Sequence, residues 1–352
     1  MRETRFQSQL GGHQLGDREP EAILVRTPNW LGDLMLSTAF ARALLARFPG
    51  ARVDLIVRQG FEALPLPRRG QILPFDRRAT PPGRFGRSLR GRGYTHLFVL
   101  PPSFSSAWMG WWSGIPWRIG YGGEGRRWLL RPAMQPAASA RSRHLADEYL
   151  GLLAPWEKFS AADFQPALDI SPEWLEQHQP PALRSGAPDV VLAPGAEYGP
   201  AKQWPLEHYA ALARSLGAAG RIVWVAGLSQ DRALGDAILS GVPGARNLCG
   251  ETSLPQLVAL LARARLVVSN DSGAMHVTAA LGRPQIALFG STNPAWTAPL
   301  NPRAELVYRA EPCSPCYART CPLGHLRCLR EISPEQVLRE AERLLTNAPN
   351  PV

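Results

Sequence analysis

Three short stretches of this chain hold residue types that can move a proton or meet a phosphate. The first is residues 27–33, TPNWLGD, which lies between an apolar run and a segment of helical period. Asp33 at its end would stand at a helix N-terminus, where the dipole favours the ionised carboxylate and so a base; the same position also suits a plain helix cap. Gly32 before it permits close backbone approach. The second is residues 193–205, APGAEYGPAKQWP, where Gly195 and Gly199 allow a tight turn around Glu197. Lys202 can reach a phosphate from that loop as a mobile point charge, and it is distinctive because the chain has 37 arginines and only two lysines, Lys158 and Lys202. A solvated surface lysine is the alternative. The third is residues 269–276, SNDSGAMH. Ser272 and Gly273 would offer backbone N–H groups at a helix start, a ready site for a diphosphate, flanked by Asp271 and His276. Taken singly, Asp271 can be a cap and His276 a core histidine.

These stretches need scaffolding that brings loops together. Residues 22–25, 53–57 and 97–100 read as strands in the first half, with a helix over 34–48. In the second half, 190–193, 222–226, 266–269 and 285–289 read as strands, with helical spacing after Pro205, Ser229, Ser253 and Gly273. Strand–helix alternation predicts an α/β fold with parallel sheets covered on both faces. Each of the three stretches then falls on a strand-to-helix connection, at the carboxyl edge where such sheets bind ligands. A proline-rich segment, 180–188, reads as a linker. The expected organisation is a flexible tail over 1–20, an N-terminal domain over 21–179, a C-terminal domain over 189–332 and a closing helix over 333–347. That helix is announced by Ser333 as N-cap, Pro334 at the first position and Gln336 at the third.

A chain of 352 residues with 45% hydrophobic and 19% charged residues fits a two-domain globular protein. Net charge is +10, and the excess is local: residues 58–131 contain 13 arginines against Glu62, Asp76 and Glu124. Trp108, Trp111, Trp112, Trp117 and Trp128 share that region. Arginine forks and indoles suit anionic, amphipathic partners, and they suit equally an arginine-biased composition with buried tryptophans. A nucleic-acid binder is a remote alternative. The first 20 residues lack an apolar signal-peptide core, and no apolar stretch has the length of a spanning helix, so the expected location is the cytoplasm.

Residues 120–125 fit G-x-G-x-x-G but read as following no clear strand and preceding no helix, which argues against a nicotinamide site. No Walker loop and no D-x-D pair are present. Leaving-group charge would therefore fall to lysine, histidine and helix N-termini. Cys313, Cys316, Cys321 and Cys328, spaced C-x₂-C-x₄-C-x₆-C beside His325, can surround a metal or remain reduced structural thiols; the second reading is preferred and no metal is assigned.

With the cysteine-bearing stretch 312–316, PCSPC, the three motifs make the chain resemble glycosyltransferase family 9 over about residues 22–346. The resemblance implies a GT-B fold, two Rossmann-like domains facing each other across a cleft, with acceptor bound by the first and nucleotide sugar by the second. It implies an inverting, metal-independent heptosyltransferase with no cofactor. The donor would be ADP-heptose and the acceptor Kdo2-lipid A carrying an inner-core heptose, with peripheral contact to the inner membrane. Another heptose acceptor or nucleotide sugar is the alternative. By the same resemblance Asp33 is the catalytic base, and Lys202, Asp271, Ser272, Gly273 and His276 bind the donor with Gly195 and Glu197. Asn29, Trp30, Arg126 and Arg127 are placed on the acceptor side. Ala39 departs from the family, which commonly has proline there.

Overall fold

The computed structural model describes residues 19–136, 141 and 143–347. The expected tail therefore lies outside the described residues except for Glu19 and Pro20. The chain divides into two compact units between Pro166 and Ala167. Residues 167–179, grouped above with the first half, belong to the second unit. The proline-rich segment is part of that unit too, where Pro181–Ser185 form a 3-10 turn.

In the first unit the elements run β1 (Ala22–Arg26), α1 (Leu31–Arg47), β2 (Arg52–Arg58), β3 (Ile72–Phe75), α2 (Pro82–Ser88), β4 (His96–Val99), α3 (Phe104–Ser113), β5 (Trp117–Tyr121), β6 (Ala133–Met134) and α4 (Leu145–Leu150). The strands form one parallel sheet in the order β3-β2-β1-β4-β5-β6. β1 and β4 are buried at every residue, which explains why they read as unbroken apolar runs. α1 is buried along most of its length, including Ala39, and its two inward hydroxyls are satisfied locally: Ser37 donates to the Leu34 carbonyl and Thr38 to that of Met35.

The second unit opens with α5 (Pro172–Gln177) and continues β7 (Val190–Ala193), α6 (Leu206–Ala218), β8 (Val223–Val225), α7 (Arg232–Leu239), β9 (Arg246–Asn247), α8 (Leu254–Arg263), β10 (Leu266–Asn270), α9 (Gly273–Ala280), β11 (Gln285–Phe289), α10 (Pro294–Thr297), β12 (Ala304–Tyr308), α11 (Arg327–Arg330) and α12 (Pro334–Asn347). Its parallel sheet has the order β12-β11-β10-β7-β8-β9. α12 is the expected closing helix, and it buries Val337, Ala341 and Leu345 in the core around Val190, Trp204, Tyr209, Val268 and Ile286. Among the described residues no helix is long and apolar enough to cross a membrane.

Residues 120–125 differ from the sequence reading. Gly120 and Tyr121 close a strand, β5, but what comes after the motif is the 3-10 turn Arg127–Leu129. A phosphate cradle of the dinucleotide kind needs a full helix there, so the motif is not a cofactor loop.

One buried group gives the first unit a pH dependence. His96 on β4 lies against Trp117 and Trp156, and burial pulls its imidazole down to about 4 from 6.5. The unfolded chain therefore binds a proton that the folded chain refuses. Stability present above pH 6.5 is lost as pH falls toward 4, by on the order of 3 kcal/mol. Thermal unfolding from pH 7 to 4.5 should fall more steeply for the natural protein than for His96→Gln. Parallel curves would remove His96 as the source.

Candidate active site

In the first sheet the chain turns from one direction of winding to the other between β1 and β4, and the loop leaving β1 is TPNWLGD. Crevices at such switch points are where open α/β sheets bind ligands. The loop is pinned from below. Thr27 donates its N–H and its hydroxyl to the Ile56 carbonyl, at 3.0 and 2.9 Å. Arg26, almost wholly buried, donates to the Thr27 carbonyl at 2.6 Å and to the Asn29 side-chain oxygen, and burial lowers its guanidinium to about 10. Asn29 and Trp30 project to the exposed side of the loop.

α1 starts at Leu31, with Trp30 as N-cap and no side-chain cap bond. Asp33 is thus the third helical residue and does not occupy the cap position. It is half-buried in the first turn, where the dipole favours its charge. Tyr149 of α4 is fully enclosed nearby; burial, then the charges of Asp33 and Glu148, push its phenol well above the usual range. Asp33 thus stands in the first turn of α1 at the switch point, beside the Tyr149 phenol.

In the second sheet the reversal lies between β7 and β10, and the loops leaving those strands are APGAEYGPAKQWP and NDSG. The sequence motifs therefore meet. Lys202 Nζ is 2.6 Å from Asp271 Oδ2, with both side chains largely buried, and the Thr292 hydroxyl donates to the same oxygen at 2.6 Å. Asn270 ties the two loops together: its amide donates to the Pro194 carbonyl at 2.7 Å while its oxygen accepts from the Trp204 N–H at 3.0 Å and the Tyr209 hydroxyl at 3.2 Å. An ammonium has three donors, so a lysine held by one carboxylate keeps hydrogens for an anion.

α9 begins immediately after, with Ser272 as N-cap. The Ser272 hydroxyl is buried and has no partner among the described residues, and no side chain caps the helix. A buried, unsatisfied hydroxyl beside free helix N–H groups suits an incoming oxyanion. His276 is buried one turn further in. Gly195 lies against Asp231, whose Oδ2 a Cβ at that position would approach to 2.6 Å, so a side chain there would displace that carboxylate. Glu197 is exposed.

Other expectations change. Arg126 was placed on the acceptor side as a charge offered outward, but it is 1% exposed and donates to the Pro101 carbonyl at 2.6 Å and to that of Ser103. It clamps the loop between β4 and α3 from inside the fold and has no reach to a surface partner. Arg127 is exposed.

The cysteine segment turns out to brace the lysine loop. Tyr198 donates its hydroxyl to the Tyr317 carbonyl at 2.6 Å, the Ala201 N–H donates to the Arg319 carbonyl at 3.0 Å, and Arg319 lies over the Tyr198 ring. Gly199, at φ 151°, passes so close to Arg319 that a Cβ would come within 2.5 Å of its carbonyl oxygen. Cys313, Cys316, Cys321 and Cys328 are free thiols lining one small cavity with Ala201 and His325. Burial and the neighbouring thiols push Cys328 up to about 11, while backbone N–H groups, led by that of Leu326, draw Cys321 down. Among the described residues no three His, Cys, Asp or Glu side chains are arranged to hold a metal ion.

Thr292, Asn270, Tyr198 and Arg319 were not singled out from sequence. Asn270 and Tyr198 lie inside the motifs quoted from sequence, and Thr292 follows β11 at the same sheet edge.

Two doubly wound parallel sheets, with an acid at the switch point of one and a lysine beside an open helix start at the switch point of the other, fit the GT-B class of glycosyltransferase. Comparison with known proteins agrees. Residues 83–327 match glycosyltransferase family 9 (heptosyltransferase). The chain is 35% identical over 345 residues to lipopolysaccharide heptosyltransferase 2 of Escherichia coli (strain K12), covering 92% of this chain and 98% of that one. It is 32% identical over 345 residues to lipooligosaccharide heptosyltransferase 2 of Haemophilus influenzae, covering 92% and 99%. The solved structure of E. coli ADP-heptose lps heptosyltransferase II superposes with a TM-score of 0.79 at 33% identity, over 93% of this chain and 99% of that one. The chain belongs to glycosyltransferase family 9.

Proposed function

We propose that the chain transfers heptose from ADP-L-glycero-D-manno-heptose to the heptose of the lipopolysaccharide inner core, in the cytoplasm, with inversion at the anomeric carbon. The observation that carries the donor half is the Lys202–Asp271–Thr292 cluster beside the unpartnered Ser272 hydroxyl at the start of α9. It offers a cation, a hydroxyl and helix N–H groups to a diphosphate. The Asp271 carboxylate is taken up by Lys202 and Thr292 and so fixes Lys202. Likeness to heptosyltransferases 2 supports the sugar and the acceptor.

In this reaction Asp33 takes the proton of the acceptor hydroxyl as that oxygen forms a bond to the anomeric carbon. The bond from that carbon to the diphosphate oxygen breaks on the opposite face, and ADP departs with the electron pair. Negative charge building on ADP is met by Lys202 and by the N–H groups of Ser272 and Gly273. His276 and Gly195 shape the donor pocket; Asn29, Trp30 and Arg127 serve the acceptor side. No metal is needed, because this chain has no D-x-D pair and supplies fixed cations and dipoles instead.

The test is incubation with ADP-heptose and a lipopolysaccharide truncated after its first heptose, with excess EDTA, read by mass spectrometry. A mass gain of one heptose is expected. Gain only on an acceptor lacking that heptose would overturn the acceptor, gain only with another nucleotide sugar would overturn the donor, and loss of transfer restored by magnesium would overturn the handling of the leaving group.

A further inference from the structure

α3 exposes an aromatic face that the transfer site does not use. Its buried side, Ala107, Met109 and Gly110, packs inward, and two glycines on α2 let it come close: a Cβ on Gly86 would lie 2.2 Å from the Met109 carbonyl oxygen, and one on Gly83 2.9 Å from the Trp112 ring. The opposite side carries Phe104, Trp108 and Trp111 at the i, i+4, i+7 spacing of one helix face, exposed by 47%, 37% and 47%. Phe104 and Trp108 stack with ring centroids 6.1 Å apart. Trp128, on the 3-10 turn packed against α3, is 84% exposed.

Arginines rim this face. Arg87 lies 3.9 Å from the Trp112 ring centroid and Arg118 5.4 Å from that of Trp111. Residues 84–131 contain seven arginines besides the buried Arg126, and one acid, Glu124. Among the described residues none of these arginines is in an ion pair. Exposed indoles grouped on one face and flanked by uncompensated guanidinium groups match an anionic bilayer, whose headgroups take the charge while the rings enter the interface. A second copy of the chain fits poorly, because a two-fold contact would set one basic rim against another. A single-stranded nucleic acid calls for a groove that tracks its backbone, whereas these rings stand on the outer face of a helix.

We infer that the outer face of α3, with Trp128, docks the protein on an anionic membrane surface. In biological sense the inference rests on the lipid-anchored acceptor proposed above, but its test reads membrane binding without donor or acceptor present.

The experiment is flotation of the full chain with phosphatidylcholine vesicles, with and without about 30% phosphatidylglycerol, at low and high salt. Binding should require the anionic lipid and weaken with salt, and tryptophan emission should shift to the blue. The double variant Trp108→Ser, Trp111→Ser should bind on the order of tenfold more weakly. Trp128→Ser, the most exposed of the set, repeats the test if the double variant unfolds. Turnover on a detergent-dispersed acceptor should be unchanged in either variant, so a protein that binds vesicles but transfers no heptose would overturn the proposed function alone. Absence of vesicle binding, binding indifferent to these substitutions, or a tryptophan-dependent dimer in sedimentation velocity would overturn the docking surface. Displacement from vesicles by a single-stranded oligonucleotide at equal charge concentration would overturn it in favour of nucleic acid.

Discussion

Asp33→Asn should lower heptose transfer by on the order of 10² to 10⁴ while leaving the affinity for ADP near normal. The amide has the size of the carboxylate but cannot accept the acceptor proton. Asp33 sits in the first turn of α1, so the same change also forfeits about 0.3 to 1 kcal/mol of favourable interaction with the helix dipole, too little to unfold the unit. The two effects separate in measurement: turnover collapses while the thermal midpoint moves little. Asp33→Glu keeps the charge but moves it one methylene along, and should retain part of the lost rate. Turnover of the Asn variant near that of the natural protein would exclude Asp33 as the base, and equal losses in Asn and Glu variants would mean that position 33 matters only for shape.

Much of this site was legible because parallel strands buried on both faces spell themselves out. β7 and β11 are read from sequence with the boundaries the structure gives, and β10 differs by one residue. Once those strands are placed, the loops at their carboxyl ends follow, and with them Asp33, Lys202 and the turn at Asp271. The outer strands were missed for the complementary reason. β3 contains Pro74 and lies at a sheet edge, β6 and β9 are two residues long, and β12 is partly exposed, so none carries a sustained apolar run. β5 contains Gly120, whose missing side chain lets it pass within van der Waals range of the Val99 backbone, and that reads as a loop.

Long-range pairing was not legible at all. Lys202 and Asp271 are 69 positions apart, and nothing local to either announces the ion pair. Arg126 shows the same limit in reverse. An arginine after a glycine-rich turn defaults to the surface, and only the fold reveals that this one is a buried clamp on the Pro101 and Ser103 carbonyls.

Lys202→Ala should have an effect comparable to loss of the base, but on binding. A charge-assisted hydrogen bond to phosphate contributes roughly 1.5 to 3 kcal/mol, so ADP and ADP-heptose should bind about ten- to a hundredfold more weakly. The ion pair adds a second penalty. Asp271 is 6% exposed and would be left as a buried carboxylate whose one remaining side-chain partner is the Thr292 hydroxyl. Breaking a buried pair from one side costs about 3 to 5 kcal/mol of stability, well beyond the cost of a surface lysine. The pair Lys202→Ala, Asp271→Asn should therefore recover stability relative to Lys202→Ala alone, and it should recover part of the ADP affinity because a repelling carboxylate has gone. Calorimetric titration with ADP across the four proteins of this double-mutant cycle measures the coupling. If the single Lys202 variant binds ADP as tightly as the natural protein, lysine is absent from the phosphate site. If the two changes are simply additive, the 2.6 Å contact between Lys202 and Asp271 contributes nothing to either binding or fold.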